Sequence, residues 1–248
     1  MAKHHVLIIG GGQIGSRHLQ ALALKAEGLC ISVVDPSKDQ LILAEERFHQ
    51  VKRDKQTKRP LFLRSISEVK GVVDLCIYAT TAQHRLQVLK ESLLSQVEIK
   101  NILFEKVLFQ SEQQLDEAKF LIKENKIKAW VNCGRRMQPI YKRLKSLLSD
   151  EPVSLETTGS NWGLASNAIH FIDLWFYLTG EKSYKLETEK LIPRIYTSKR
   201  DGFKEIGGTL IGFSDNSRFK LSCSLDENEL NFRHTISTSK YKIVIDEL

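Results

Sequence analysis

Residues 5–19 read HVLIIGGGQIGSRHL, and this stretch decides the fold. Its first part, Val6–Ile9, is the continuous apolar run typical of a strand buried on both faces of a parallel sheet. Three glycines in the spacing Gly10-x-Gly12-x-x-Gly15 follow at once, and from Gln13 onward the apolar residues recur with helical spacing. In such a strand–turn–helix unit one glycine makes the tight turn, one lets the backbone reach a pyrophosphate, and one lets the helix pack on the strand. The sequence therefore predicts dinucleotide phosphates at the helix N-terminus, bound by Gly10, Gly12, Gln13, Ile14 and Gly15.

An acidic residue stands where such a fold places the adenosine ribose. The second apolar run, Leu29–Val34, ends in Asp35, which follows Gly15 by 20 residues. A carboxylate there accepts hydrogen bonds from the ribose hydroxyls and repels a 2′-phosphate. Because Pro36 follows and no arginine is adjacent, the sequence favours NAD over NADP as the cofactor. The alternative is a glycine turn that holds no ligand.

Length and composition indicate an ordinary soluble globular protein. The 248 residues suffice for one large domain or two modest ones, and 42% are hydrophobic while 27% are charged. No apolar run approaches the ~20 residues that span a membrane, and the N-terminus has no secretory hydrophobic region. We therefore expect a cytoplasmic protein without membrane association.

The cysteines and histidines do not indicate a metal centre. The four cysteines are widely spaced and lie in or beside apolar runs: Cys30, Cys76, Cys133 and Cys223. This pattern predicts reduced, buried side chains instead of disulfides or metal ligands. The seven histidines do not cluster at ligand spacing, so the sequence predicts no metal site.

The net charge of +7 raises the question of nucleic-acid binding. The densest basic segment, residues 52–59, has no interleaved aromatic side chain and is typical of a solvated loop. A diffuse positive field that attracts an anionic cofactor or a phosphorylated substrate explains the charge equally well. We therefore expect no nucleic-acid partner, and keep a salt-dependent nucleic-acid-binding module as an alternative.

The order of apolar segments predicts two domains of different class. Strand-like and helix-like segments alternate in residues 1–134, including a buried strand over 72–79, which is the signature of a doubly wound parallel sheet. In residues 135–248 an apolar helix, about 167–178, is followed by strand-like segments with alternating residues. This second part predicts an α+β domain with a mostly antiparallel sheet.

Ligands of open parallel sheets bind beyond the carboxyl ends of the strands. Three predicted strand ends carry reactive side chains: Thr80 and Thr81 with His84, Glu105 with Lys106, and Asn132 with Arg135 and Arg136. An ammonium such as that of Lys106 can hydrogen-bond a substrate hydroxyl, and partial desolvation would lower its pKa toward the range of acid–base catalysis. The alternative is a solvated lysine at the end of a strand.

The apolar helix of the second part carries a polar stripe. Ser166, His170 and Asp173 are spaced i, i+4 and i+7 and share one face of the helix. Asp173 could orient or charge the imidazole of His170. The alternative is a satisfied His–Asp pair in the core.

Taken in order, these motifs make the chain similar to the Gfo/Idh/MocA oxidoreductases, the family of glucose–fructose oxidoreductase and inositol dehydrogenase. The matching residues are Gly10-x-Gly12-x-x-Gly15-x-x-His18, Asp35, Ala79-Thr80-Thr81-x-x-His84, Glu105-Lys106, Arg135-Arg136-x-x-Pro139 and His170-x-x-Asp173. The resemblance implies a Rossmann domain, a second α/β domain whose open sheet mediates homodimers or homotetramers, and NAD(P)-dependent oxidation or reduction at a carbinol carbon. Its usual substrates are sugars, cyclitols and nucleotide sugars.

The resemblance also implies roles for single residues. Lys106 would hold and polarise the reacting hydroxyl, and His170 would relay or take its proton. The nicotinamide side of the cofactor site would be lined by Thr80, Thr81, His84 and Glu105, and the substrate would contact Arg135, Arg136 and Asn167.

The chain departs from the family pattern at three places. Val107 replaces the proline that usually follows Lys106, so the peptide between them is either trans or a costly non-proline cis bond. Ser166 replaces a common aspartate, so a carboxylate role is absent or passes to Asp173. The sequence ends at Leu248, inside a predicted strand, whereas members of the family continue for some tens of residues, so we expect a shortened second sheet. A catalytically weak dinucleotide-binding sensor or assembly protein therefore stays as the alternative function.

Overall fold

A computed structural model describes residues 4–25, 28–51, 58–148, 151–198, 202–226 and 232–247. Most of the predicted basic loop, residues 52–57, lies outside this part. The chain divides into two compact units, a first unit of residues 1–132 and a second unit of residues 133–248. In the described part of the chain, no helix has the length and apolar character needed to cross a membrane.

The first unit contains eight strands and four α-helices among its described residues. In chain order they are β1 (His4–Ile9), α1 (Gln13–Lys25), β2 (Leu29–Val34), α2 (Lys38–Gln50), β3 (Leu61–Leu63), β4 (Val72–Val73), β5 (Leu75–Tyr78), α3 (Ala82–Leu94), β6 (Glu98–Ile99), β7 (Asn101–Phe104), α4 (Glu112–Glu124) and β8 (Lys128–Val131). Six of the strands form one sheet in the order β3-β2-β1-β5-β7-β8, and every neighbouring pair is parallel. The predicted parallel sheet is confirmed.

Both faces of this sheet are buried, which explains the continuous apolar sequence of β1. Leu7 and Ile9 belong to one hydrophobic cluster, together with side chains of α3 and α4. Val6 and Ile8 belong to a second cluster on the opposite face, together with side chains of α1 and α2. Since alternate residues of a strand point to opposite faces, both sets must be apolar.

The predicted strand over residues 72–79 is wrong in one respect. Asp74 interrupts it, and the two halves enter different sheets, with β4 pairing β6 and β5 pairing β1. The Asp74 carboxylate accepts hydrogen bonds from the backbone N–H of His5 at 3.0 Å and from Lys100 Nζ at 3.0 Å. These contacts hold the partly exposed Asp74 side chain at the point where the chain passes from one sheet to the other.

The second unit contains eight strands and two α-helices among its described residues. They are α5 (Pro139–Leu147), β9 (Ser154–Ser160), α6 (Leu164–Thr179), β10 (Lys185–Glu187), β11 (Tyr196–Thr197), β12 (Lys204–Glu205), β13 (Gly208–Phe213), β14 (Arg218–Ser224), β15 (Phe232–Ser237) and β16 (Lys242–Glu247). The main sheet has the order β10-β13-β14-β9-β15-β16, and only β9 and β14 pair in parallel among its described strands. The predicted mostly antiparallel sheet is confirmed.

Helix α6 packs on one face of this sheet, where Trp175 and Phe219 lie in one buried cluster. The other face carries charged residues, among them the pair Lys220–Glu156 with a 2.7 Å Nζ–Oε1 distance. Helix α6 begins at Leu164 instead of near residue 167, because the Glu205 carboxylate accepts a hydrogen bond from the N–H of the adjacent Ala165 at 2.9 Å. An acid at that end satisfies an N–H group that has no partner within the helix.

The cysteine prediction holds with one exception. All four cysteines are free thiols. Cys76, Cys133 and Cys223 are buried, whereas Cys30 is only half-buried. Burial raises the pKa of the Cys76 thiol far above its ordinary value, which makes this side chain an inert part of the core.

Candidate functional site

The turn between β1 and α1 gives the three glycines of the Gly10-x-Gly12-x-x-Gly15 spacing different environments. Gly10 has φ of +100°, and a Cβ there would lie 3.1 Å from the backbone of Ala79 and of Thr80. A Cβ at Gly15 would lie 1.7 Å from the carbonyl oxygen of Gly10, so the start of α1 packs directly on the turn. A Cβ at Gly12 would meet only the side chain of Gln40, at 3.5 Å. Backbone packing therefore excludes a side chain at Gly10 and Gly15, whereas Gly12 has room for a methyl group.

The N-terminus of α1 is accessible. Gln13 and Ile14 are exposed, and the N–H groups of a first helical turn have no acceptor within the helix. Arg47 of α2 holds this turn through Nη2 on Gln13 Oε1 at 2.6 Å and Nη1 on Ser16 Oγ at 2.6 Å. Open N–H groups, the helix dipole and a nearby cation together favour an anion at this position. Sequence reasoning missed Arg47, whose long separation from the glycines carries no local signal.

Asp35 ends β2 beside the glycine turn. Its Oδ2 accepts a hydrogen bond from the N–H of Gly11 at 2.7 Å, and its Oδ1 accepts one from the N–H of Ser37 at 2.9 Å. Although no arginine is adjacent in sequence, Arg64 reaches this corner and donates from Nη2 to the carbonyl of Pro36 at 2.9 Å. The structure thus places a fixed carboxylate and an exposed guanidinium at the end of β2.

Glu105 joins three motifs that are far apart in the sequence. Its Oε1 accepts hydrogen bonds from His18 Nε2 of α1 at 2.7 Å and from Asn132 Nδ2 beyond β8 at 2.6 Å. The side chain is buried. Burial alone would raise the pKa of this carboxyl, but the hydrogen bonds from His18 and Asn132 outweigh it and hold the pKa below its ordinary value. Glu105 is therefore a fixed anion at the carboxyl end of the sheet.

Lys106 follows Glu105 and is half-buried. The peptide bond between Lys106 and Val107 is cis, which decides between the two possibilities that the sequence leaves open. The backbone on either side of Lys106 is held by Arg85, which donates from Nη1 to the carbonyls of Glu105 at 2.6 Å and of Val107 at 2.5 Å. Sequence reasoning missed Arg85, because it occupies a helix position where an arginine is usually exposed.

The end of β5 presents the remaining predicted residues of the first unit. The Thr80 hydroxyl is buried and has no hydrogen-bond partner among the described residues. Thr81 precedes α3 and is half-buried, and its side chain makes no capping hydrogen bond. His84 is exposed in the first turn of α3, and its backbone N–H donates to the carbonyl of Thr81 at 3.2 Å. The edge formed by Thr80, Glu105 and Lys106 thus carries a hydroxyl, a carboxylate and an amine.

The second unit pairs Asp173 with an arginine. Arg136, in a short 3₁₀ helix over Gly134–Met137, donates from Nε to Asp173 Oδ2 at 2.8 Å and from Nη2 to Asp173 Oδ1. These hydrogen bonds also raise the pKa of Arg136 above its ordinary value. Both oxygens of Asp173 accept hydrogen bonds from Arg136, and the role of Asp173 in orienting or charging His170 stays a prediction. The i, i+3 spacing on α6 gave no sign of an arginine 37 residues away.

The other predicted residues of the second unit lie on α6 and, for Arg135, in the 3₁₀ helix over Gly134–Met137. His170, Ser166 and Asn167 are half-buried on α6. Asn167 donates from Nδ2 to the carbonyl of Trp162 at 2.7 Å. The guanidinium of Arg135 stands 4.3 Å from the centre of the Phe171 ring, a cation–π arrangement. These residues belong to one unit, and Lys106 and Glu105 belong to the other.

Comparisons with known proteins show the fold. No protein-family model matches the chain, and no curated protein matches it. A myo-inositol dehydrogenase from Lactobacillus casei, solved with NAD(H) and myo-inositol, superposes with a TM-score of 0.73 at 15% identity, over 99% of this chain and 74% of that one. The WlbA dehydrogenase from Chromobacterium violaceum, solved with NADH and UDP-GlcNAcA, has a TM-score of 0.72 at 17% identity, over 98% and 74%. A probable dehydrogenase from Thermotoga maritima has a TM-score of 0.71 at 16% identity, over 98% and 76%.

Proposed function

We propose that the chain is an NAD-dependent oxidoreductase of the Gfo/Idh/MocA type. It transfers a hydride between nicotinamide and a carbinol carbon of a sugar, a cyclitol or a nucleotide sugar. The observation that carries this proposal is the glycine turn, where Gly15 packs on Gly10 while a Cβ at Gly12 would meet only the side chain of Gln40, at 3.5 Å. The fold is shared with dehydrogenases solved with NAD(H) and a cyclitol or nucleotide sugar, and this supports the substrate class.

The described residues fit a dinucleotide. The N–H groups of Gln13, Ile14 and Gly15 would bind its pyrophosphate. A carboxylate offers about four acceptor positions, and the two backbone hydrogen bonds to Asp35 use two of them. Two remain for the adenosine ribose hydroxyls, which supports NAD over NADP. The unpartnered hydroxyl of Thr80 supports a polar ligand atom at the end of β5.

Bound NAD would supply the hydride acceptor, and the chain's own residues would hold and deprotonate the substrate. Thr80, Thr81, His84 and Glu105 would line the nicotinamide side. From the first unit, we assign to Lys106 a hydrogen bond to the reacting hydroxyl, because its positive charge stabilises the negative charge that develops on that oxygen. From the second unit, we assign to His170 the uptake of the hydroxyl proton, since an imidazole titrates near neutral pH.

The sequence predicts that Arg135, Arg136 and Asn167 contact the substrate, and we keep this role for two of them. Arg135 and Asn167 would contact substrate polar groups. Arg136 and Asp173 bind each other, so we assign to this pair the positioning of α6 and therefore of His170.

We also propose that a second copy of the chain covers the charged face of the main sheet. Light scattering after gel filtration would then give the mass of two or four chains.

Binding and turnover test the proposal separately. NAD at a hundredfold excess over its dissociation constant should raise the unfolding free energy by about 2.7 kcal/mol, and NADP should do less. A panel of sugars, cyclitols and nucleotide sugars should then yield NADH absorbance with at least one member. NAD binding without any turnover would instead favour the sensor or assembly protein, and salt-dependent duplex binding without NAD binding would favour the nucleic-acid module.

Lys106→Ala provides the mechanistic test. We expect turnover to fall by about 10²- to 10⁴-fold with little change in NAD affinity, because the amine is assigned to the substrate and not to the cofactor. The matched control is Lys119→Ala, which changes an exposed lysine of α4 that pairs with Asp116 at the surface. Equal turnover in the two variants would refute the role of Lys106.

A further inference from the structure

Arg85 is the one fully buried lysine or arginine among the described residues, with 1% of its surface exposed. It lies near the start of α3. Among the described residues, its Nη1 and Nη2 donate to backbone carbonyls, and its Nε has no partner. Nη1 reaches the carbonyls of Glu105, Val107 and Leu108 at 2.6, 2.5 and 2.7 Å, and Nη2 reaches the carbonyl of Thr80. One side chain therefore ties the ends of β5 and β7 to each other.

Burying the Arg85 guanidinium costs free energy that an apolar residue at the same position would not cost. Transferring a cation from water to the interior is unfavourable even when hydrogen bonds compensate, and an apolar residue would fill a buried helix position more cheaply. Burial lowers the pKa of Arg85 to about 10, which is still far above neutral, so the side chain stays charged. What the guanidinium adds over an apolar residue is its fixed fork of donors, which matches several carbonyls at once.

Two of these carbonyls flank Lys106. The carbonyl of Glu105 precedes it and that of Val107 follows it, and both are bound by the same nitrogen of Arg85. The Glu105 side chain is held independently by His18 and Asn132. The backbone at Lys106 is thus fixed from both sides by contacts that do not involve its ammonium group.

We propose that Arg85 is a positioning residue for Lys106: it fixes the backbone of the Glu105–Leu108 turn so that the lysine amine is held at one place. This inference rests on the proposed function, which gives Lys106 its catalytic role. A misplacement of a reacting group by about 1 Å costs roughly 10²-fold in rate. Loss of Arg85 should therefore lower turnover by a larger factor than it lowers NAD affinity. Arg85 binds the carbonyls of Thr80 and Glu105 on the nicotinamide side, whereas the pyrophosphate and the ribose are assigned to the glycine turn and to Asp35.

Two variants and two controls test the proposal. Arg85→Gln removes the charge and the fork, and Arg85→Lys keeps the charge with a single nitrogen. Leu86→Ala removes apolar contacts at the neighbouring buried position of α3 but no hydrogen bond to the turn, and Arg143→Gln removes an exposed arginine of α5. We expect kcat to fall about 10²-fold in Arg85→Gln and about 10-fold in Arg85→Lys. Leu86→Ala and Arg143→Gln should keep the kcat of the folded enzyme.

A double-mutant cycle separates positioning from general stability. If Arg85 acts through Lys106, Arg85→Lys should lower the residual turnover of Lys106→Ala by less than twofold. An equal tenfold loss in both backgrounds would overturn the proposal. So would a Leu86→Ala variant that loses as much kcat as Arg85→Lys. If Arg85→Gln does not fold, the kcat of Arg85→Lys tests the proposal alone. If neither variant folds, Arg85 is required for folding and the proposal fails.

A chemical readout does not depend on turnover. The rate at which an acylating reagent labels Lys106, followed by mass spectrometry of the folded protein, should change at least fivefold in Arg85→Lys. The labelling rate at Lys90, an exposed lysine of α3, should not change. An unchanged Lys106 rate would overturn the positioning role even if the chain proved to have no dehydrogenase activity. If the labelling rate of Lys106 changes but the wild-type chain has no dehydrogenase activity, the proposed function is refuted and the positioning role of Arg85 stands.

Discussion

Replacing Gly15 by alanine is expected to damage both folding and NAD binding. The new methyl carbon would lie 1.7 Å from the carbonyl oxygen of Gly10 and 2.9 Å from its carbonyl carbon. Real Cβ atoms essentially never approach other heavy atoms closer than 3.0 Å, so the two stretches of backbone must separate by more than 1 Å. No flexible side chain is available to yield, because both partners are main chain.

The size of the effect follows from this geometry. Overpacking a core costs typically about 1–3 kcal/mol, and we expect about 3 kcal/mol here because rigid backbone must move. Helix α1 also carries the N–H groups assigned to the pyrophosphate. Losing two hydrogen bonds to a charged group, at about 1.5–3 kcal/mol each, weakens NAD binding by about 10²- to 10⁴-fold.

Gly12→Ala is the matched control, since its methyl carbon meets only Gln40 Oε1 at an ordinary 3.5 Å. Urea unfolding followed by circular dichroism should show a stability within about 1 kcal/mol of wild type for this variant. Its NAD affinity should nonetheless fall, because the methyl group stands where the backbone approaches the phosphates. A wild-type urea midpoint for Gly15→Ala, or an equal stability loss in the two variants, would refute the assignment of separate roles to the two glycines.

Three further outcomes test the description of the two units. The pKa of Glu105 is lower in the folded state than its ordinary value of about 4.3. The ionised carboxylate therefore stabilises the folded state fully above that value, and this stabilisation is lost as the pH falls through the folded-state pKa. Urea unfolding of Glu105→Gln between pH 3 and 6 should depend less on pH than that of wild type. Arg136→Met should cost about 1–2 kcal/mol in urea unfolding, because Asp173 loses its partner in a half-exposed pair, and adding Asp173→Asn should recover most of it. Trp175→Ala, at a fully buried position, should cost about 3–5 kcal/mol by calorimetry, whereas Trp130→Ala, at a position 52% exposed, should cost under about 1 kcal/mol.

Local signals predicted the parts of the fold that neighbouring residues determine. The apolar run of β1, the glycine turn and the start of α1 lie within 15 residues, and each follows from backbone sterics and burial. The end of α6 was equally readable, since Gly180 adopts the left-handed conformation with φ of 78°. Such features depend on contacts that the sequence places side by side.

Contacts between remote residues could not be predicted in the same way. Arg85 is separated by 20 residues from the carbonyl of Glu105, and Arg136 by 37 residues from Asp173. Periodicity assigns Arg85 to a helix but does not show that a turn from another strand covers it. Spacing on α6 likewise placed Asp173 near His170 and could not show that a long side chain from outside the helix takes both carboxylate oxygens.

The central position of β9 has a consequence for how the chain is made. This strand emerges from the ribosome before both of its neighbours, β14 and β15. Its Thr157 must wait for His234, 77 residues later, to form the buried side-chain hydrogen bond between them. At a synthesis rate of about 5–20 residues per second the delay is about 4–15 s. Both edges of β9 stay open until β14 is made, and one edge stays open until β15 follows, so the nascent second unit carries an unpaired strand that is prone to aggregation.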